Sequence, residues 1–349
     1  MRSRTYIATP PGETIKEQLM SRNMTQKEFA ARMDMSEKHI SQLINGTVSL
    51  TPEMAMHLEM VLGVPSEFWN KLESIYRDKL VKVQAENDMD ADLEIIKKIP
   101  YNEMSKLGWI EKTGNRKQRV FALRKFFEVV RLNLIDKPPI TNIACRQLGE
   151  GNNSDYALLA WAQKAKLEAR SIETSSINIE RLIRSIPLLR DMTVQDPADF
   201  SPALCDILKK CGIALVLLPH IGGSFLHGAT FQDRTKIVIG LTLRGRDADK
   251  FWFSLFHEIG HIVLGHLSLG KGLTEEEERA ADSFARNALI EDCQFQSFIS
   301  NGDFNNKSAI LMFSEEVGIS PGIVVGRLQK EGYLPFSFYN DLKIKYIFR

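Results

Sequence analysis

The sequence predicts a mainly α chain with a smaller α+β part, on three observations. Cap-punctuated helical runs fill roughly the first 83 residues, with no strand-like segment among them. After Pro197 two short apolar runs, Ile213–Leu218 and Lys236–Leu241, read as strands. Two long helical stretches, Asp249–Leu267 and Thr274–Ile290, follow, and the first contains an H-E-x-x-H string. At 349 residues two or three domains are expected. The pattern divides as 1–83, an N-terminal domain; 84–196, a helical connector; and 197–349, an α/β domain.

In the first part, Thr14–Arg22 opens the helical series. Thr25 with Glu28 three residues on is a capping-box signature, and Phe29, Ala30 and Met33 sit at helical spacing behind it. Ser36 is a good N-cap for a helix that stops at Asn45-Gly46. Thr51-Pro52 starts the next, which ends at Gly63. Ser66 is expected to cap a helix with Phe68, Trp69 and Leu72 on one face.

The connector is helical and less clearly punctuated. Glu86–Asp92 is acidic and reads as a junction; Gly108–Gly114, Pro138-Pro139 and Gly149–Asp155 read as breaks. Lys112–Lys125 is basic: a solvated surface face, or alternatively an auxiliary contact to phosphates. In the last part Pro202–Cys211 is helical and closed by Gly212. His227–Phe231 reads as a further strand, and Ser308–Arg349 is mixed, with turns at Gly318, Pro321-Gly322 and Gly332.

Composition narrows the classes. Hydrophobic residues at 44% and charged residues at 26% are an ordinary globular balance. The formal net charge of +1 gives no bulk signal for nucleic acid, so a DNA-binding argument needs a motif. Cys145, Cys205, Cys211 and Cys293 form no C-x-x-C pair, which argues against a cysteine zinc site or a disulfide framework; the last three read as small core residues. Met1–Pro11 has no apolar secretory core, and no apolar stretch reaches the roughly 20 residues that span a bilayer. A soluble, cytoplasmic protein is expected.

Two short helices joined at Asp34-Met35 have helix-turn-helix proportions. The start of the second helix would present Glu37, Lys38, Ser41 and Gln42 to base edges, with Ala30 and Ile40 facing inward. Gln26 and Asn45 are placed to hold phosphates, which fix register without carrying sequence information. Pro11-Gly12-Glu13, Thr25 to Ala30, Ser36 to Ile40, Asn45-Gly46, Leu50 to Glu53 and Phe68-Trp69 resemble the HigA-like antitoxin branch of the Xre-type helix-turn-helix proteins. The resemblance implies a five-helix fold, a palindromic double-stranded DNA operator and a homodimer. The reading helix departs from a basic surface at Glu37 and His39.

The strongest chemical signal is Phe256-His257-Glu258-Ile259-Gly260-His261. On a helix, His257 and His261 project from one face, as two imidazole ligands of one metal must. Glu258 beside them is placed to act as general base toward a water. Gly260 costs about 1 kcal/mol relative to alanine inside a helix, which a close approach to the helix backbone would explain. H-E-x-x-H alone occurs by chance, and the next helix decides. Glu278, Ala281, Asp282 and Ala285 share a face, so two carboxylates lie on an otherwise apolar surface, which is expensive without a partner. Glu278 as third zinc ligand and Asp282 as acceptor for a ligand's second ring nitrogen would satisfy both.

The stretch from about Phe200 to Lys345 resembles the ImmA/IrrE family of zinc metallopeptidase-like proteins. The match lies at Gly228-Ala229, Leu243-Arg244, Asp249 to His261, Glu278 to Ala285 and Gly322 to Leu328. The resemblance implies a zincin-like α/β fold with an edge strand that holds substrate, and cleavage of helix-turn-helix repressors. It makes His257, His261 and Glu278 the ligands and Glu258 the base. His227, just before the expected substrate strand, is a candidate oxyanion stabiliser, or alternatively a structural histidine. His266 lies off the His257–His261 face and is left out of the site. Two functions follow as expectations. One is a regulator with a fused zinc endopeptidase that acts on a regulatory protein, another repressor or itself. The other is a non-proteolytic repressor or antitoxin that uses the zinc-like domain for sensing, or for binding a toxin or other partner.

Overall fold

The structure is a computed structural model that describes residues 1–135, 153–222, 228–242, 247–267 and 273–346. The expected break at Pro138-Pro139, most of the Gly149–Asp155 loop, Cys145, His227 and Leu243-Arg244 lie outside the described residues. The chain separates into two compact units, Met1–Glu94 and Ile95–Arg349.

The first unit contains α1 (Gly12–Ser21), α2 (Gln26–Arg32), α3 (Glu37–Ile44), α4 (Pro52–Leu62) and α5 (Ser66–Ile95, whose last residue begins the second unit). Its caps follow the sequence: Ser36 Oγ accepts from His39 N, Thr51 Oγ1 accepts from Met54 N, and Gly63 closes α4 at φ 66°. At Thr25 only half of the expected capping box forms. Thr25 Oγ1 accepts from Glu28 N, but the Glu28 carboxylate turns to Arg32 one helical turn away at 2.9 Å. Ile15, Phe29, Ala30, Ile40, Leu43, Leu58 and Trp69 make the core. Phe68 is not on the Trp69 face: it is 45% exposed whereas Trp69 is fully buried. Nor does the chain break at Glu86–Asp92, because α5 runs unbroken through it. Glu86 accepts hydrogen bonds from Ser3 and Thr5, which satisfies the carboxylate within the helix.

The second unit begins with α6 (Tyr101–Lys106), α7 (Arg116–Phe127), α8 (Asn153–Ala169), α9 (Ile179–Asp191) and α10 (Pro197–Lys210). Then come β1 (Ile213–Leu218), β2 (Gly228–Asp233) and β3 (Lys236–Thr242). The sheet order is β1-β3-β2, with β1 parallel and β2 antiparallel to β3. Asp233 pairs with Lys236 across a tight turn in which Arg234 takes φ 57°. β2 is therefore an edge strand. β1 and β3 are apolar on both faces because both are covered. Trp161 and Ala165 of α8 pack where a Cβ on Gly240 of β3 would sit. Helices expected in a separate connector thus belong to the same compact unit as the sheet.

The remaining helices are α11 (Ala248–Val263), α12 (Glu275–Leu289), α13 (Asp292–Ser300), α14 (Lys307–Val317) and α15 (Pro321–Lys330). α11 is buried around most of its circumference, as a central helix must be. Trp252 packs tilted against Phe200 and edge-on to Phe251, and its indole N–H donates to Tyr346 Oη at 2.8 Å. Cys211 is a core residue and Cys205 is half-buried, but Cys293, expected in the core, is exposed at the start of α13. Among the described residues no single helix is long and apolar enough to cross a membrane.

Candidate functional site

α11 and α12 lie close enough that a Cβ on Gly260 would sit 3.0 Å from Phe284 Cδ1 and 3.3 Å from Ala281 Cα. That is the close approach the glycine implied. It turns the His257–His261 face of one helix toward the carboxylate face of the other. His257 Nε2 lies 3.1 Å from His261 Nε2 and 3.6 Å from Glu278 Oε2. One ligand atom from each of the three lies within 4.8 Å of the others.

The outer nitrogens decide what this cluster can hold. His257 Nδ1 is 2.8 Å from Asp282 Oδ1, and a carboxylate acceptor assigns the proton to Nδ1. His261 Nδ1 is 3.1 Å from His266 Nδ1, and in the matching tautomer it donates there. Both Nε2 atoms then direct lone pairs at the same point, an arrangement that repels unless a cation or a proton sits between them. With Glu278 beside them the donors fit a zinc ion: two imidazoles, one carboxylate and room for a fourth group.

Burial, reinforced by the charges of His257 and His266, pushes the His261 pKa down to about 4, so that ring is neutral near pH 7. At His257 burial opposes protonation, but the Asp282 hydrogen bond and the nearby Glu258, Asp282 and Glu278 carboxylates outweigh it and raise the pKa. Asp282 resists burial through the same hydrogen bond and stays below the usual carboxylate range.

Glu258 points the other way, toward the sheet. It is 6% exposed; its Oε2 accepts from Thr230 Oγ1 at 2.6 Å. Its Oε1 would be 2.5 Å from a Cβ on Gly228, so a larger residue at the start of β2 would displace the Glu258 side chain. Burial pushes its pKa up to about 7, against the opposing effects of His257 and the Thr230 hydrogen bond. A carboxyl poised near neutrality can both take and return a proton. The site opens on a cleft of about 1070 Å³ lined by Phe253, Leu273, Ile323, Arg286 and Lys330 among others.

Two guanidiniums hold the last turn of α12. Arg190 Nε donates to Leu289 O at 2.9 Å. Arg327 donates to Ile290 O at 2.7 Å, lies over the Phe295 ring and pairs with Asp292 and Glu331. These contacts satisfy carbonyls that a helix end leaves open.

Sequence reasoning named His257, Glu258, His261, Glu278 and Asp282, and the fold brings all five together. It missed Thr230 and left out His266. The signal for His266 was Gly265, which at φ 75° ends the helix and folds the chain back, so that His266 N donates to His261 O. On a continued helix His266 would indeed face away. His227 lies outside the described residues.

In the first unit, Gln26, Glu37, Lys38 and Asn45 are exposed, and Ser41 and Gln42 are half-buried. Ala30 and Ile40 are buried beneath them, and Asp34, at φ 52°, makes the turn between α2 and α3. A Cβ on Gly12 would fall 1.8 Å from Ile44 O, which fixes α1 tightly against the end of α3.

Residues 15–69 match the helix-turn-helix family model. An uncharacterized HTH-type transcriptional regulator of Escherichia coli strain K12, YddM, is 36% identical over 66 residues, which cover 19% of this chain and 70% of that protein. Through this N-terminal segment, the chain belongs to the family of helix-turn-helix transcriptional regulators.

Proposed function

We propose that this regulator binds a palindromic duplex operator as a homodimer of the HigA-like antitoxin type, and that its second unit is a zinc-dependent endopeptidase of the ImmA/IrrE kind with a zincin-like fold. Its substrate is a regulatory protein in the cytoplasm, another repressor or the chain itself. The observation that carries the enzymatic reading is the convergence of His257 Nε2, His261 Nε2 and Glu278 on one point, in a cleft that Glu258 of the same helix also lines.

His257, His261 and Glu278 would hold the ion, and zinc bound there supplies Lewis acidity toward a carbonyl and toward water. The chain's own residues do the rest. Asp282 and His266 keep both imidazoles in the tautomer that leaves Nε2 free. Glu258 takes a proton from water and returns it to the leaving amine, with Thr230 fixing one carboxylate oxygen. The free edge of β2 offers backbone groups to a substrate in extended form, and Gly228 lets that strand lie directly against Glu258.

A second reading, a repressor or antitoxin that uses the unit to sense metal or to bind a toxin or other partner, is favoured by one feature. Glu258 is buried, with one oxygen bonded to Thr230 and the other against Gly228. Glu258→Gln separates the readings. The peptidase reading expects the variant to fold and keep metal, but to lose at least about 100-fold in the rate at which new protein N termini appear. Those termini, the chain's own included, are scored by N-terminal labelling and mass spectrometry. Equal rates from wild type and variant would remove Glu258 from the chemistry.

A further inference from the structure

The basic stretch noted in the sequence belongs to neither site. α7 carries Arg116, Lys117, Arg119, Arg124 and Lys125 and not one acidic residue. Val120, Leu123, Phe126 and Phe127 bury one side of the helix. Away from that side, Lys117, Phe121 and Lys125 recur every four residues and so form one stripe. All three are exposed, Phe121 by 58%. Arg116, Lys112 in the preceding loop and Lys106 at the end of α6 are exposed too.

Among the described residues, none of Lys106, Lys112, Arg116, Lys117 and Lys125 forms an ion pair, whereas cations elsewhere commonly do. Of the neighbouring acids, Glu128 takes both guanidinium arms of Arg170 at 2.5 Å and Glu103 accepts from Gly222 N at 2.6 Å, which leaves the exposed Glu111 as one carboxylate beside five cations. In a chain whose net charge is +1, this is a local concentration of uncompensated positive charge. Mutual repulsion disfavours such a group until a polyanion neutralises it.

We infer that this face of the second unit contacts the phosphate backbone of duplex DNA, without reading sequence. The inference rests on the DNA-binding reading of the first unit. Duplex DNA is the polyanion which that unit would bring into the molecule's vicinity, and tethering makes a second contact effectively intramolecular. Long flexible lysine and arginine side chains suit phosphates, and the exposed Phe121 between two of them suits the apolar face of a sugar.

The test uses the full chain and a fluorescent 60-bp duplex of arbitrary sequence, with affinity followed by anisotropy across a KCl series. Each phosphate neutralised contributes about 0.9 to the slope of log K against log salt. Replacing Lys112, Arg116, Lys117 and Lys125 together by Gln is expected to reduce that slope by about 3 to 4 per chain. The same loss is expected when those changes are added to a Lys38→Ala, Gln42→Ala background, which separates the patch from α3. A control with Arg116→Lys and the three lysines changed to Arg should keep the wild-type slope, which excludes a folding effect. An unchanged slope in the Gln variant would overturn the inference while leaving DNA binding by α3 intact. No binding of duplex by any protein would overturn both. Tighter, Phe121-dependent binding of a 60-nucleotide single strand would overturn the duplex assignment. So would patch-dependent binding of phosphatidylserine vesicles with the DNA slope unmoved.

Discussion

A neutral imidazole has one lone pair, and at His257 the Asp282 carboxylate decides which nitrogen carries it. Asp282→Asn removes the charge but keeps the shape, so the ring loses its preference and part of its basicity. Metal affinity should fall about 10- to 100-fold, measured by competition with a chromogenic chelator. Unchanged affinity would mean that Asp282 does not orient the ligand. At this scale the sequence was informative wherever spacing on one helix settles a face, as for His257 with His261 and Glu278 with Asp282. It was uninformative where the outcome depends on a turn or a competitor. His266 joins the site only because Gly265 reverses the chain, and Glu28 leaves the Thr25 capping box for Arg32.

Among the elements, α12 carries Glu278 and Asp282 and is held at its end by Arg327, whose side chain is only 8% exposed. Arg327→Met keeps the bulk but strands Asp292, Glu331 and the Ile290 carbonyl. Breaking a buried ion pair from one side costs about 3–5 kcal/mol. The exposed Asp292 and partly exposed Glu331 reduce that to about 2 kcal/mol, read as a lowered urea midpoint with weaker metal retention. A midpoint equal to wild type would show that α12 is held by packing alone.

At α5, Glu86 ties down the N-terminal segment through Ser3 and Thr5, and those hydrogen bonds lower its pKa from 4.5 to about 2. A depressed carboxylate contributes stability that is present above 4.5 and is lost as pH falls toward about 2. Amide exchange at Ser3–Ala8, corrected for its intrinsic pH dependence, should therefore lose protection across that window in wild type. In Glu86→Gln protection should already be lower and flat with pH. Parallel profiles would contradict the tether. Caps and apolar spacing made α2, α3 and α4 legible in advance. The unbroken course of α5 was not, because its acidic stretch is accommodated by Ser3 and Thr5, residues more than 80 positions away.

At the scale of the whole molecule, a chain of net charge +1 carries three distinct groupings: a helix-turn-helix unit, a basic stripe on α7, and a His-Glu cluster between α11 and α12. The three strands and the two long helices of the second unit were legible because each has its own periodicity or apolar run. The role of α8 was not, since nothing local tells Trp161 that it will fill the space left by Gly240 on β3. Long-range complementarity of that kind decides where a domain ends, and it is why the helices before the sheet looked separable from it. The enzymatic function rests on one proposal, that the two Nε2 atoms facing each other at 3.1 Å, with Glu278 beside them, form a metal site. It is tested most directly by the metal content of the purified full chain, by elemental mass spectrometry, beside His257→Ala and Glu278→Ala. About one zinc per chain is expected in wild type, with a marked loss in both variants. Wild-type protein without metal, prepared with no chelator present and folded by circular dichroism, would contradict it.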